Sequence, residues 1–211
     1  MSTLDEQAWD KRYGGGELVW GAGPNRFLVE QVSNLQPGTA LDVASGEGRN
    51  AIWLAEQGWR VVGVDFSSVA LEKARRLARE RGVAVDWLHS DLTTWVPPNP
   101  YDLVVALYLH LPPDARHRVF AQMARSVAVG GTMLVVGHDL SNLTEGYGGP
   151  QDPTVLYGLD DVVADLDGIL EIEQAERVDR WVESPDGTAR AIDVLVRGCR
   201  GPTDRVTSAS S

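Results

Sequence analysis

Leu41-Asp42-Val43-Ala44-Ser45-Gly46-Glu47-Gly48-Arg49-Asn50-Ala51 is the stretch that decides the fold of this 211-residue chain. An apolar run leads into two glycines, and helix-forming residues follow, so the stretch predicts a strand, a tight turn and a helix start. Gly46 and Gly48 have no side chain, which lets the backbone pass close to a ligand and take dihedrals that other residues resist. The helix start beyond them presents unpaired N–H groups, which suit a carboxylate or a phosphate. The spacing Gly46-x-Gly48-x-x-Ala51 also fits a dinucleotide fingerprint, so the glycines alone leave the cofactor open.

Outward from this turn, short apolar runs alternate with amphipathic segments. Strands are expected at 39–43, 60–65, 83–88, 101–108 and 131–138, and helices at 49–57, 67–81 and 113–127. Strand and helix alternating in this way call for a parallel sheet covered on both faces, with the ligand crevice where the strand order reverses. A Gly-, Pro- and Asp-rich loop at 141–158 has a length usually tied to function. A short helix at 159–166 follows, then strands at 170–182 and 189–197 joined by Glu183-Ser184-Pro185-Asp186-Gly187. That joint reads as a hairpin, which makes the last two strands antiparallel. Before the first strand, helices are expected at 4–13 and 24–35. Residues 1–36 thus form an N-terminal helical segment, 37–199 the ligand-binding domain, and 200–211 a Ser/Thr-rich, disordered tail.

Composition narrows the partners. The formal net charge is −11, which repels a polyphosphate backbone and argues against nucleic acid. The one cysteine, Cys199, cannot form an internal disulfide, and no Cys/His cluster has zinc-ligand spacing, so no metal is expected. No signal pattern or membrane-spanning apolar run is present, and the chain reads as a cytoplasmic protein, monomeric or homodimeric.

Acidic residues supply the rest of the motif. Asp65 ends the second strand, 19 residues after Gly46, where a carboxylate can accept both hydroxyls of a ribose. Asp91, just past the third strand, can accept from an exocyclic amine while Leu92 packs on the ring. Asp42 lies four residues before Gly46, where a dinucleotide-binding strand stays apolar. Together with the terminal hairpin, that carboxylate favours S-adenosylmethionine (SAM) over a nicotinamide cofactor.

With those residues in place, the chain resembles the class I SAM-dependent methyltransferases over about residues 20–198. Asp42-x-x-x-Gly46-x-Gly48 is similar to their first motif, Gly63-Val64-Asp65-Phe66-Ser67 to the second and Ser90-Asp91-Leu92 to the third. Tyr101-Asp102-Leu103-Val104 and Val129-Gly130-Gly131-Thr132 resemble the motifs at the fourth and fifth strands. More narrowly, Trp9-Asp10-x-Arg12-Tyr13 and Gly46-Glu47-Gly48-Arg49-Asn50-Ala51 resemble the tellurite-resistance and thiopurine-type enzymes, which act on small molecules. One departure is Ala44-Ser45, where that family often has Gly-Cys.

The resemblance implies a Rossmann-like, doubly wound seven-stranded sheet in the order 3-2-1-4-5-7-6, with helices on both faces and the last strand antiparallel. It also implies methyl transfer from SAM, leaving S-adenosylhomocysteine (SAH). Cofactor contacts are expected from Asp42, Ala44, Gly46, Gly48, Arg49, Asn50, Asp65, Phe66, Asp91, Leu92 and Leu107, with Arg12 and Trp20 closing a lid.

The acceptor, a small molecule, is expected where the fourth and fifth strands end. Tyr108, His110, His138, Tyr147 and Tyr157 are the candidates there, with His110 or His138 as base. His138 and its neighbour Asp139 can pair by a hydrogen bond, and the two loop tyrosines suggest an aromatic wall. A SAM-binding sensor without catalysis is the alternative reading.

Overall fold

The computed structural model describes residues 6–185 and 187–202. Seven strands are present: β1 (Thr39–Val43), β2 (Arg60–Asp65), β3 (Asp86–His89), β4 (Tyr101–Leu107), β5 (Val127–His138), β6 (Glu171–Ser184) and β7 (Gly187–Cys199). They form one sheet in the order β3-β2-β1-β4-β5-β7-β6. The first five are parallel, while β7 pairs antiparallel with both β5 and β6. A dinucleotide fold continues in parallel crossovers, so this hairpin sets the nicotinamide alternative aside.

Helices α1 (Glu6–Tyr13), α2 (Arg26–Val32), α3 (Arg49–Glu56), α4 (Ser68–Arg81), α5 (Pro113–Arg125), α6 (Asn142–Glu145) and α7 (Leu159–Leu166) complete the fold. Strand β4 shows how both faces are covered. Val104 and Ala106 bury against α5 and α7, among Phe120, Met123 and Leu166. Leu103, Val105 and Leu107 bury on the other face with Phe27 and Leu28 of α2 and Leu54 of α3. Alternate side chains of a strand point to opposite faces, so a nearly continuous apolar run satisfies both layers. Because β1 lies between β2 and β4, the order reverses there, and the crevice opens at the carboxyl ends of β1 and β4.

Several boundaries differ from the sequence expectation for local reasons. Gly82, at φ +69°, ends α4 in a left-handed cap, and Val83 N–H donates to Ala78 C=O. That cap takes up the apolar 83–85 run, and β3 starts only at Asp86. Asn25 accepts from Phe27 and Leu28 N–H and so starts α2 after Pro24. Helix α2 belongs to the core beside α3 rather than to the expected lid.

At the C-terminus Arg200 is held in place. Its N–H donates to Gly131 C=O, and Nη1 reaches the carbonyls of Arg125 and Val127. Arg200, expected in the tail, therefore belongs with the sheet. Residues 203–211, Asp186 of the hairpin turn, and positions 4 and 5 of the first expected helix lie outside the described residues. No helix among the described residues is long and apolar enough to cross a membrane.

Candidate active site

The glycine turn divides its work. Gly48 has φ +84°, and a Cβ there would stand 2.5 Å from the Trp87 ring and 2.9 Å from Ala74 Cβ. Its missing side chain lets α3 close against α4 and β3, which corrects the expectation that Gly48 faces the ligand. Gly46, at φ +55°, opens the other way, where a Cβ would meet Tyr13 Oη at 3.1 Å. Ala44 also has a positive φ, +55°. A left-handed alanine costs about 1–2 kcal/mol, so the departure from glycine at this position leaves strain in the loop.

Two carboxylates lie beneath the turn. Asp65 is buried and accepts from Gly46 N–H at 2.7 Å and Ser67 N–H at 2.8 Å. Burial raises its pKa, against the pull of those two amides. Asp42 is fully buried, with Oδ2 lacking any hydrogen-bond partner. Burial pushes its carboxyl up to about 7, opposed by Ala51 N–H and reinforced by the charge of Asp65. Ser45 Oγ is likewise buried and unpartnered. A buried polar atom left without a partner costs on the order of 1–3 kcal/mol, so these two point to a ligand with donors and positive charge.

The residues present fit SAM, whose ammonium and sulfonium would stand by Asp42 and Asp65. Farther out, Phe66 is half-buried, and Leu92 is buried. Asp91 is exposed; its Oδ1 accepts from Thr93 N–H and Oγ1, leaving Oδ2 for an amine.

The lid is fastened by the loop itself. Glu47 Oε1 pairs with Lys73 at 2.9 Å and Oε2 accepts from Val19 N–H at 2.8 Å. Lys73 also donates to Glu17 C=O. Arg49 donates to Trp20 C=O, and Asn50 Oδ1 accepts from Asn25 N–H. Asn50, expected at the cofactor, is therefore spent on this tether. Arg12 is sandwiched between the Trp9 and Trp20 rings, 5.2 and 4.8 Å from their centroids. Tyr13 is buried between this cluster and Gly46, with its phenol held neutral first by burial. The sequence reading quoted Glu47 and Tyr13 only as motif members and gave Lys73 no part in the site, although a charged Glu47 between two glycines was a signal.

Of the residues expected at the acceptor, the structure brings Tyr108, His110 and His138 together. His138 lies 4.9 Å from the Tyr108 ring and 5.3 Å from that of His110. Tyr108 leaves β4 at φ +58°, a strained conformation of the kind that collects at functional sites. Both His110 ring nitrogens are buried without a well-formed hydrogen bond, and burial pushes its pKa down to about 3, helped by His138. It is neutral at physiological pH.

Tyr147 is 42% exposed and stands apart from this cluster, so the expected aromatic wall does not form. Tyr157 is fully buried under His110, edge-on to Phe120, where a Cβ on Gly137 would collide with its ring. It packs the core behind the site. Leu107 is core as well.

The expected His138–Asp139 pair is absent. Asp139 instead accepts from Ser141 N–H and Oγ and pairs with Arg177 at 3.2 Å. The carboxylate beside His138 is Asp193 of β7, which the sequence reading missed. It accepts from Tyr108 Oη and Arg180 Nε, each at 2.7 Å. A lone acid inside the apolar run Ala191-Ile192-Asp193-Val194-Leu195-Val196 was its only signal.

Fold and crevice together define a class I methyltransferase architecture. Residues 40–131 match the family model described as a methyltransferase domain. The chain is 31% identical over 115 residues to trans-aconitate 2-methyltransferase of Azoarcus sp. (strain BH72), covering 52% of this chain and 43% of that one. It is 26% identical over 168 residues to thiocyanate methyltransferase 1 of Brassica oleracea, covering 76% and 73%. Among solved structures, the N-methyltransferase NodS of Bradyrhizobium japonicum WM9 in complex with SAH superposes with a TM-score of 0.71. It is 17% identical, with 93% and 98% of the chains covered. The chain spans about half the length of two curated relatives it matches at 31% identity, 43% and 55%. Residues 40–131 thus match a methyltransferase domain, and the chain shares the fold of solved methyltransferases.

Proposed function

We propose that this protein binds SAM and transfers its methyl group to a small molecule. The observation that carries the reading is the buried Asp42 carboxyl, its Oδ2 without a partner, beside Asp65 under a glycine turn at the point of strand-order reversal. Asp65 would hold the ribose, Phe66, Asp91 and Leu92 the adenine, and Gly46, Ala44 and Asp42 the methionine end beneath Arg12, Trp20 and Arg49. When bound, SAM supplies an activated methyl on a sulfonium, so the chain's own task is orientation and exclusion of water. The lid, fastened to the loop by Glu47 and Asn50, excludes water from above.

The acceptor side lies at the ends of β4 and β5, walled by Tyr108, His110 and His138. The net charge of −11 suits a neutral acceptor better than a polyanion or nucleic acid. The thiocyanate methyltransferase relative supports a small acceptor, and the absence of a membrane-crossing helix among the described residues fits action in the cytoplasm.

Calorimetric titration with SAM and SAH tests the reading. Micromolar binding of both, with SAH at least as tight, is the expected result. Binding of neither would sink it.

A further inference from the structure

Four elements converge on Asp193. Fully buried in β7, its Oδ2 accepts from Tyr108 Oη and Arg180 Nε, and its Oδ1 lies 3.0 Å from His138 Nδ1. That oxygen stands off the ring N–H direction, a contact that rotation of the imidazole about its Cβ–Cγ bond closes into a hydrogen bond. Arg180 neutralises one charge and stacks over Tyr108 at 5.4 Å. The groups facing His138 are therefore Asp193 from β7, Arg180 from β6, and Tyr108 and the neutral His110 from the exit of β4. Asp139 is turned away to Ser141 and Arg177. His138 keeps 13% of its side chain exposed, at the end of β5 where the acceptor would lie.

A carboxylate at Nδ1 fixes the proton on that nitrogen and leaves Nε2 as a lone-pair acceptor. Resting on the methyl-transfer reading, we infer that Asp193 is a positioning residue. It holds His138 as the Nδ1–H tautomer, so that Nε2 takes the proton of an acceptor whose nucleophilic atom carries one, a hydroxyl or a thiol. The step balances. The acceptor's oxygen or sulfur bonds to the methyl carbon as the carbon–sulfonium bond breaks and the sulfonium becomes a neutral thioether. The acceptor's proton passes to His138 Nε2, and the imidazolium afterwards releases it to water. An acceptor that is already an anion has no proton to give and would not use the pair.

Nitrogen-15 NMR of the full-length protein, with SAH added and the four histidines assigned by single substitution, reads the tautomer directly. The expected result is Nδ1–H as the major form of His138, with Asp193→Asn shifting the balance toward Nε2–H. A major Nε2–H form in the wild-type protein overturns the inference, and this needs no variant to fold. So does an unchanged tautomer in a folded Asp193→Asn protein. SAH binding measured on the same sample keeps the two failures apart. Binding with the wrong tautomer removes only the pair, whereas loss of binding removes the methyl-transfer reading.

Discussion

Around the glycine turn, contacts join residues close in the chain, whereas the acceptor side is assembled from afar. Gly46 reaches Asp65 across 19 positions and Lys73 reaches Glu47 across 26, but Tyr108 meets Asp193 across 85. One half is a motif that folds locally into a strand, a turn and two helix starts. The other exists only after β7 has been threaded between β5 and β6. The difference separates two design problems, one set of contacts fixed by neighbours in sequence and the other by topology.

The largest effect expected on this comparison is from Gly48→Ala. A left-handed alanine at about 1–2 kcal/mol, with overpacking against Trp87 at about 1–3, predicts a loss of about 2–5 kcal/mol in urea unfolding. An unchanged midpoint would show that the cofactor half is looser than its packing implies.

Next, Asp65→Ala removes hydrogen bonds to a charged group, worth roughly 1.5–3 kcal/mol, so SAH should bind about 10- to 150-fold more weakly in calorimetry. Tyr108→Phe is its counterpart. It should lower stability by about 1–3 kcal/mol, since Asp193 loses a buried donor, yet leave SAH affinity within about 2-fold. If Tyr108→Phe weakens SAH as much as Asp65→Ala does, the two halves are not separable.

The two buried carboxylates provide a third contrast. Asp42 is pushed up to about 7, so between roughly pH 4 and 7 the folded state holds a proton that the unfolded chain has lost. Its contribution therefore makes stability fall as pH rises through that window, by at most about 1.4 kcal/mol per unit. Asp193 is shifted the other way. Burial would raise it, but His138, Arg180 and Tyr108 together hold it low. Its contribution is present above the usual carboxylate range and is lost as pH falls through its lowered value. Unfolding at pH 5 and pH 7 should show Asp42→Asn flattening the first slope, and a slope unaltered by Asp42→Asn would place the titration elsewhere.

The smallest effect is expected from Ala44→Gly, which relieves the left-handed alanine at the cost of a more flexible unfolded chain. A gain of up to about 1 kcal/mol follows, again in urea.

This contrast also accounts for what the sequence made legible. Strands β1 and β2 and the placement of Gly46, Asp65 and Asp42 at one turn were readable because pattern and contact span the same short stretch. The 83–85 run misled because a helix cap and a buried strand start share apolar residues. Gly48 looked like a ligand contact because a sequence records the missing side chain but not the ring that fills its place. On the acceptor side, His138 was visible and its true carboxylate was not. Adjacent Asp139 was the nearest acid in the chain, but successive strand residues point to opposite faces, and only β7 brings Asp193 round.

The tethers from Glu47, Arg49 and Asn50 to residues 19–25 have a kinetic consequence. They join the N-terminal segment to the loop that grips the cofactor, so neither moves without the other. On the proposed methyl-transfer reading, release of SAH would require this joint body to move, a kind of step that sets the pace of turnover in many enzymes.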